Sequence, residues 1–303
     1  METTVKAPAK INLFLRMDGT REDGYHLLYS VFQTLSLCDE ITVRTFPREK
    51  DSSSSPIVIR SSSAALPEDI TKNTVYKAAK RFLDAISEDE TEVMIDLIKR
   101  IPSQAGLGGG SSDAAAVLLA MDSLFPGKVS REDLQKIAVS IGADVPFFLT
   151  GGTALCEGIG EIVTPLPDLS GLHVLLMKPS RGVSTPACYA AFDEMGAVPM
   201  TLEEKKVLKE TLSGEGSSEE RFRGSFRYWA NDLEPAAVEA VPEIESGIEL
   251  MKEHGASYAA MTGSGSCIFG FFDSEEKMDE VLNDEVFTIL KGEGWWAEKV
   301  RTL

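Results

Sequence analysis

The sequence predicts two α/β-type halves, each mixing strands with helices, meeting at a cleft. Three observations carry this. The chain has 303 residues, and at about 150 residues per domain that is room for two. Some stretches alternate apolar and polar residues with period two, whereas others repeat apolar residues at helical spacing. The pattern restarts after about residue 165, so the expected division is 1–165 and 166–303.

Composition narrows the function. With 43% hydrophobic and 26% charged residues the chain is ordinarily globular, and it is long enough to bury a core without staples. Thirty basic against 48 acidic residues leave a net charge of −18. That argues against a sequence-independent grip on nucleic acid or anionic lipid, which needs a basic face. A small anionic ligand stays open, because a few local donors suffice. Cys38, Cys156, Cys188 and Cys267 are scattered, as are His26, His173 and His254, so no zinc spacing exists. The apolar runs, such as 114–121, fall short of the roughly 20 residues of a membrane span. Lys6, Lys10 and Arg16 break any signal-peptide core. The expectation is a soluble, cytoplasmic protein with reduced cysteines.

In chain order, residues 9–17 alternate, with Ile11, Leu13, Leu15 and Met17 on one face and Lys10, Asn12, Phe14 and Arg16 on the other. This reads as a half-buried strand that aims Lys10 and Asn12 the same way, about 7 Å apart. Strands follow at 40–46, 56–61 and 92–98, and helices at 72–86, 112–125 and 130–141. The last has Ser130 and Asp133 in capping-box spacing and Gly142 as terminator. Residues 51–55 (DSSSS) read as a polar loop. The second half reads as a strand at 172–177, helices at 186–195 and 202–212, and a mobile loop at 213–225. Helices at 232–240 and 243–254 come next, then strands at 256–261 and 267–272, one helix at 274–291, and a strand at 296–302.

The strongest chemical signal is Pro102-Ser103-Gln104-Ala105-Gly106-Leu107-Gly108-Gly109-Gly110-Ser111-Ser112, which opens into an Ala/Leu-rich helix. Glycines let backbone approach a ligand, and a helix start turns unsatisfied N–H groups outward, which suits phosphate. Walker A is excluded, since no lysine occurs between Lys99 and Lys128, and the dinucleotide fingerprint fails at Ser111. A tightly packed strand-to-helix turn is the bland alternative. Asp144, in GADVPFFL, is either an N-cap or turn former, or a carboxylate in apolar company that needs a partner, with Lys10 the candidate. Gly263-Ser264-Gly265-Ser266 is either a turn between strands or a second ligand loop. Asp23-Gly24-Tyr25-His26 is either loop packing or a site where an aromatic and a histidine hold a planar base.

Taken together, PAKINLFL, DGYH, PSQAGLGGGSSDAAA, GADVPFF and MTGSGSC, in this order and spacing, resemble the GHMP kinase superfamily over essentially the whole chain. The GLGGGSS run with DGYH resembles the members that act on a cytidine-diphosphate-linked methylerythritol in non-mevalonate isoprenoid synthesis. The resemblance implies an α+β two-domain fold, with an N-terminal ribosomal-protein-S5-like domain, a C-terminal ferredoxin-like domain and the active site in the cleft. It implies ATP and Mg²⁺ as cofactors, a small-molecule acceptor, no nucleic acid or membrane partner, and a monomer or homodimer. Residues 102–112 would wrap the ATP phosphates, with Asn73 and Lys99 on the adenine side and Ser112 as the candidate Mg²⁺ ligand. Lys10 and Asp144 would be the catalytic pair, Asp144 taking the proton and Lys10 keeping it ionised. Asn12, Tyr25, His26, Tyr189, Gly263, Ser264 and Gly265 would hold the acceptor. Another kinase of the superfamily, of homoserine or mevalonate type, and a non-catalytic nucleotide-binding protein are the alternatives.

Overall fold

The computed structural model describes residues 1–48, 55–62, 69–196, 199–214 and 217–303. Its contacts form two compact units. The first comprises Met1–Ala9, Leu37–Pro102 and Gly108–Gly151, and the second Lys10–Ser36, Ser103–Leu107 and Gly152–Leu303. Two long strands, β1 (Glu2–Thr20) and β2 (His26–Pro47), run through both.

In the first unit, β3 (Ile57–Ser61) is followed by α1 (Thr74–Ala85) and β4 (Thr91–Ile98). The parallel pairing of β3 with β4, Ile57 opposite Val93, is what an intervening helical crossover permits. The C-terminal part of β2 adds antiparallel to β4, Glu40 opposite Ile98. α2 (Gly109–Leu124) is buried almost all round, from Ser112 through Leu118 and again at Ala120, Met121 and Leu124, as expected for a helix without a polar stripe. α1 packs on α2, and α3 (Arg131–Ile141) on α1 and on the short α4 (Val145–Phe148). The Ser130 hydroxyl accepts from Asp133 N and Gly142 ends α3, as its sequence predicts.

The second unit begins with β5 (Thr153–Glu157), antiparallel to β2 with Cys156 opposite Ser30, and β6 (Ile162–Pro165) beside it. There follow β7 (His173–Lys178), α5 (Thr185–Met195), α6 (Leu202–Ser213), α7 (Ser218–Ser225), α8 (Glu234–Ala240) and α9 (Glu243–Glu253). The chain ends with β8 (Tyr258–Met261), β9 (Ile268–Phe272), α10 (Glu275–Leu282), α11 (Glu285–Gly292) and β10 (Trp296–Arg301). The sheet order is β10-β7-β9-β8, every pairing antiparallel. Counting these four strands from the first gives 4-1-3-2 with helices after the first and third, the split βαβ arrangement of a ferredoxin-like domain. Leu175, Met177, Ile248, Met251, Met261 and Ile268 lie in the core beneath it.

Several expectations change. The strand over 9–17 is buried on both faces from Ala9 to Leu15, not half-buried, because its polar face meets partners inside the second unit. The loop expected at 213–225 contains a helix, α7, begun by a capping box of Ser217 and Glu220; residues 215–216 lie outside the described residues. The helix expected over 274–291 is two, because Asp284 caps a new start by accepting from Val286 N. Most of the DSSSS loop also lies outside the described residues. The first half of β2, β5 and β6 had no sequence reading; their short or two-sided apolar runs lack a clean period. Among the described residues no helix is long and apolar enough to cross a membrane.

Candidate active site

The second unit builds a polar network around Lys10, which is only 3% exposed. A buried ammonium is costly unless partnered. Lys10 Nζ donates to Asn12 Oδ1 at 2.5 Å and sits 4.8 Å from the centre of the Phe32 ring, a cation–π distance. Asn12 is itself fixed through both side-chain polar atoms and its backbone N. Its Nδ2 donates to Ser30 Oγ at 2.9 Å, which donates onward to the Phe14 carbonyl. Its backbone N donates to Thr262 Oγ1 at 2.8 Å, and that hydroxyl donates to Asn12 Oδ1 at 3.3 Å. The shared face of Lys10 and Asn12, legible from period two, is thus a contact. Ser30 and Thr262, which sequence reasoning did not single out, lock it. Thr262 stands next to the Gly263 turn, and that adjacency was the one available signal.

The two glycine-rich segments of this unit pack backbone against backbone. Lys10 N donates to the Leu107 carbonyl at 3.0 Å and Cys267 N to that of Ala105 at 3.3 Å, and the side chains of Ala105 and Leu107 are buried. Gly106 has φ +72°, and a Cβ there would meet the Thr262 carbonyl. A Cβ on Gly263 would lie 3.1 Å from Gly106 Cα and O. These glycines are therefore required by close approach within the protein. Asn231 Nδ2 holds the turn by donating to the carbonyls of Met261 and Gly263, both at 2.9 Å. Ser264 Oγ and Thr185 Oγ1, at the start of α5, are 2.7 Å apart. Ser103 and Gln104 are exposed, and Gly265 (φ +88°) packs on Met261 and Val183.

In the first unit, Gly108 (φ +71°) is the N-cap of α2, and no side chain caps the helix. A helix start with no side-chain cap is suited to an anion. Gly109 fits tightly, since a Cβ would lie 3.1 Å from Ile101 Cγ2, and the Gly110 carbonyl accepts from Thr74 Oγ1 at 2.8 Å. Ser111 follows half-buried. Ser112 is buried, and its hydroxyl has no protein partner, the orphaned oxygen that a metal–nucleotide ligand would satisfy. Among the described residues no group of three or more His, Cys, Asp or Glu side chains could hold a metal ion. Asn73 caps α1, accepting from Val75 N at 2.8 Å. The Lys99 ammonium bridges the buried carboxylates of Asp39 and Asp113, two partners the sequence reading did not name. Burial pushes the Asp113 carboxyl up to about 7 against the pull of Lys99.

Asp144 occupies the N-cap position of α4, in the turn that leads into it, without a side-chain capping bond. It is half-buried beside the fully buried Val145, Pro146, Phe147 and Phe148.

The second unit also gathers the aromatic candidates. His26 Nε2 lies 2.6 Å from Asp193 Oδ1. The His26 ring is 4.9 Å from that of Tyr189 and 5.9 Å from that of Phe192. Tyr189, Phe192 and Asp193 share one face of α5 at helical spacing. Tyr25 stands 60% exposed in the tight turn closed by Arg21 and Asp23, with the Arg21 guanidinium over its ring, 5.5 Å from the centre.

Comparison with known proteins gives these features a family. Residues 73–152 match the model of the GHMP kinases N terminal domain and residues 207–284 that of the GHMP kinases C terminal domain. The 4-diphosphocytidyl-2-C-methyl-D-erythritol kinase of Clostridium acetobutylicum is 38% identical over 276 residues, 91% of this chain and 93% of that protein. A crystal structure of 4-(cytidine 5'-diphospho)-2C-methyl-D-erythritol kinase superposes with a TM-score of 0.73 at 33% identity, covering 98% of this chain and 99% of that one. The homoserine kinase of Cytophaga hutchinsonii gives the same TM-score at 20% identity over 100% of this chain and 94% of its own, a likeness of fold.

Proposed function

The chain belongs to the GHMP kinases, and within them to the 4-diphosphocytidyl-2-C-methyl-D-erythritol kinases; from that premise we propose how its residues carry out the reaction. It transfers the γ-phosphoryl group of ATP to the 2-hydroxyl of 4-diphosphocytidyl-2-C-methyl-D-erythritol, giving the 2-phosphate and ADP in the non-mevalonate isoprenoid precursor pathway. The observation that carries this reading is the likeness to a kinase of that name over nine-tenths of both chains. A homoserine or mevalonate acceptor has no comparable support.

Phosphoryl transfer asks the protein for position and charge stabilisation more than for covalent chemistry. The run Pro102–Ser112 and the uncapped start of α2 hold the ATP phosphates, with backbone N–H groups supplying the donors. Asn73 and Lys99 border the adenine side. The buried, unpartnered Ser112 hydroxyl would help hold Mg²⁺, which would supply positive charge to the nucleotide's phosphates. Asp144 accepts the proton of the attacking tertiary alcohol, a contribution worth ~10²–10⁴-fold. Lys10, aimed by Asn12 and Thr262, stabilises negative charge on the transferring group. Tyr25, His26 and Tyr189 hold the cytosine by stacking and hydrogen bonding. Gly263, Ser264 and Gly265 line the acceptor.

ADP release from Mg·ATP, measured with the cytidine-linked acceptor, free methylerythritol phosphate, homoserine or mevalonate in turn, tests the reading. Turnover with the cytidine-linked acceptor alone is expected. Turnover with homoserine or mevalonate instead would discard the cytidine assignment. Silence with all four in folded protein that binds ATP would refute the kinase assignment itself.

A further inference from the structure

We infer that the Asp39–Lys99–Asp113 bridge is a positioning device for ATP, holding together the two flanks of the phosphate-binding run; the inference rests on the kinase reading above. All three residues belong to the first unit. Lys99 stands just past the end of β4 and Asp113 just inside α2, so the bridge joins the chain entering the run to the helix leaving it. Asp39, fully buried, anchors the entering side twice more, since its Oδ1 accepts from Arg100 N at 2.5 Å and Ile101 N at 2.9 Å. The packing around the ammonium is tight. A Cβ on Gly109, the first residue of α2, would come within 3.7 Å of Lys99 Nζ and 3.1 Å of Ile101 Cγ2. The helix start that faces phosphate thus sits directly on the bridge.

The charges explain why all three residues are needed. Asp39 and Asp113 are almost inaccessible to water, and two carboxylates in such a place repel each other without a cation between them. Lys99 supplies that cation, giving one donor to each carboxylate. Asp113 Oδ1 keeps no protein partner, so the helix is tied by a single carboxylate oxygen, Oδ2. Asp113, buried behind the run, therefore acts on the nucleotide through the geometry of the run.

The variant Asp113→Ala cuts the helix side of the bridge and leaves Asp39 paired with Lys99. With the cytidine-linked acceptor, the KM for ATP rises about tenfold, while kcat and the acceptor KM stay within about threefold. A merely structural bridge would lower Tm and leave the ATP KM alone, so an ATP KM within about twofold of wild type in cooperatively melting protein overturns the inference. If that variant does not fold, Asp113→Asn, which leaves Lys99 an acceptor, carries the test with a rise of about threefold, and an unchanged KM overturns the inference there. Calorimetry with a non-hydrolysable Mg·ATP analogue reads the same loosening without turnover. Wild-type protein that binds the analogue but turns over no acceptor would refute the kinase reading and leave the binding comparison intact.

Discussion

Replacing Gly106 by alanine tests the contact between the two glycine-rich segments and its route to Lys10. Gly106 has φ +72°, and a Cβ there would approach the Thr262 carbonyl oxygen far inside 3.0 Å, with the Thr262 carbon at 3.1 Å and Gly265 N at 3.4 Å. The obstacle is backbone, so no rotamer change relieves it. The left-handed conformation alone costs an alanine about 1–2 kcal/mol, and forcing apart a packed contact adds about 1–3 kcal/mol. Gly152 separates the two terms, because it lies in the same unit at φ +69° with nothing within 4 Å of its Cβ position. Gly152→Ala should therefore lose about 1–2 kcal/mol, and Gly106→Ala about 2–5 kcal/mol. At roughly 2–4 °C per kcal/mol for a large domain, thermal melts resolve the difference. Moving Thr262 also moves the hydroxyl that holds Asn12, and Asn12 holds Lys10. Gly106→Ala should thus lose turnover in the fraction that remains folded, whereas Gly152→Ala keeps it. Equal melting temperatures for the two variants would refute the close approach and the route to Lys10 with it.

Three further outcomes are expected. Asp144→Asn should fold and bind ATP normally while kcat falls ~10²-fold or more; wild-type turnover would remove the base assignment. His26→Ala and Tyr189→Ala should each raise the KM for the cytidine-linked acceptor about tenfold, with the ATP KM unchanged; equal effects on both substrates would argue against a cytosine site. Burial holds the Glu234 carboxyl above its ordinary range, although Met261 N donates to it. The folded state therefore binds this proton more tightly than the unfolded chain, and the group's contribution to stability is lost as pH rises above the usual carboxylate range. Glu234→Gln should match wild-type Tm near pH 4 and exceed it at pH 8, and parallel melting curves across that span would exclude this origin.

Much of the site was legible because its signals are local. Period two aimed Lys10 and Asn12 to one side, the glycine run announced a helix start without a cap, and Ser130 with Gly142 bounded α3. Asp144 stood out as a lone carboxylate in an apolar segment. Local rules misjudged elements whose surroundings differ from the average. Residues 9–15 read as half-buried because Lys10 and Asn12 are polar, yet the second unit satisfies them inside. The stretch 213–225 read as a loop from its glycines and charges, yet a capping box begins a helix within it.

The sequence by itself marked the glycine-rich run and set Lys10 and Asn12 on one face, because these depend on residue chemistry at short spacing, and its motifs carried the resemblance that implied the reaction class. Only the tertiary structure decided what holds them. Thr262 meets Asn12 across 250 residues, Asp39 meets Lys99 across 60, and Asp193 meets His26 across 167. No periodicity encodes such contacts. A buried lysine or carboxylate must find a partner to offset its lost hydration, but any of many polar residues could serve. The fold makes the choice by bringing one of them within reach.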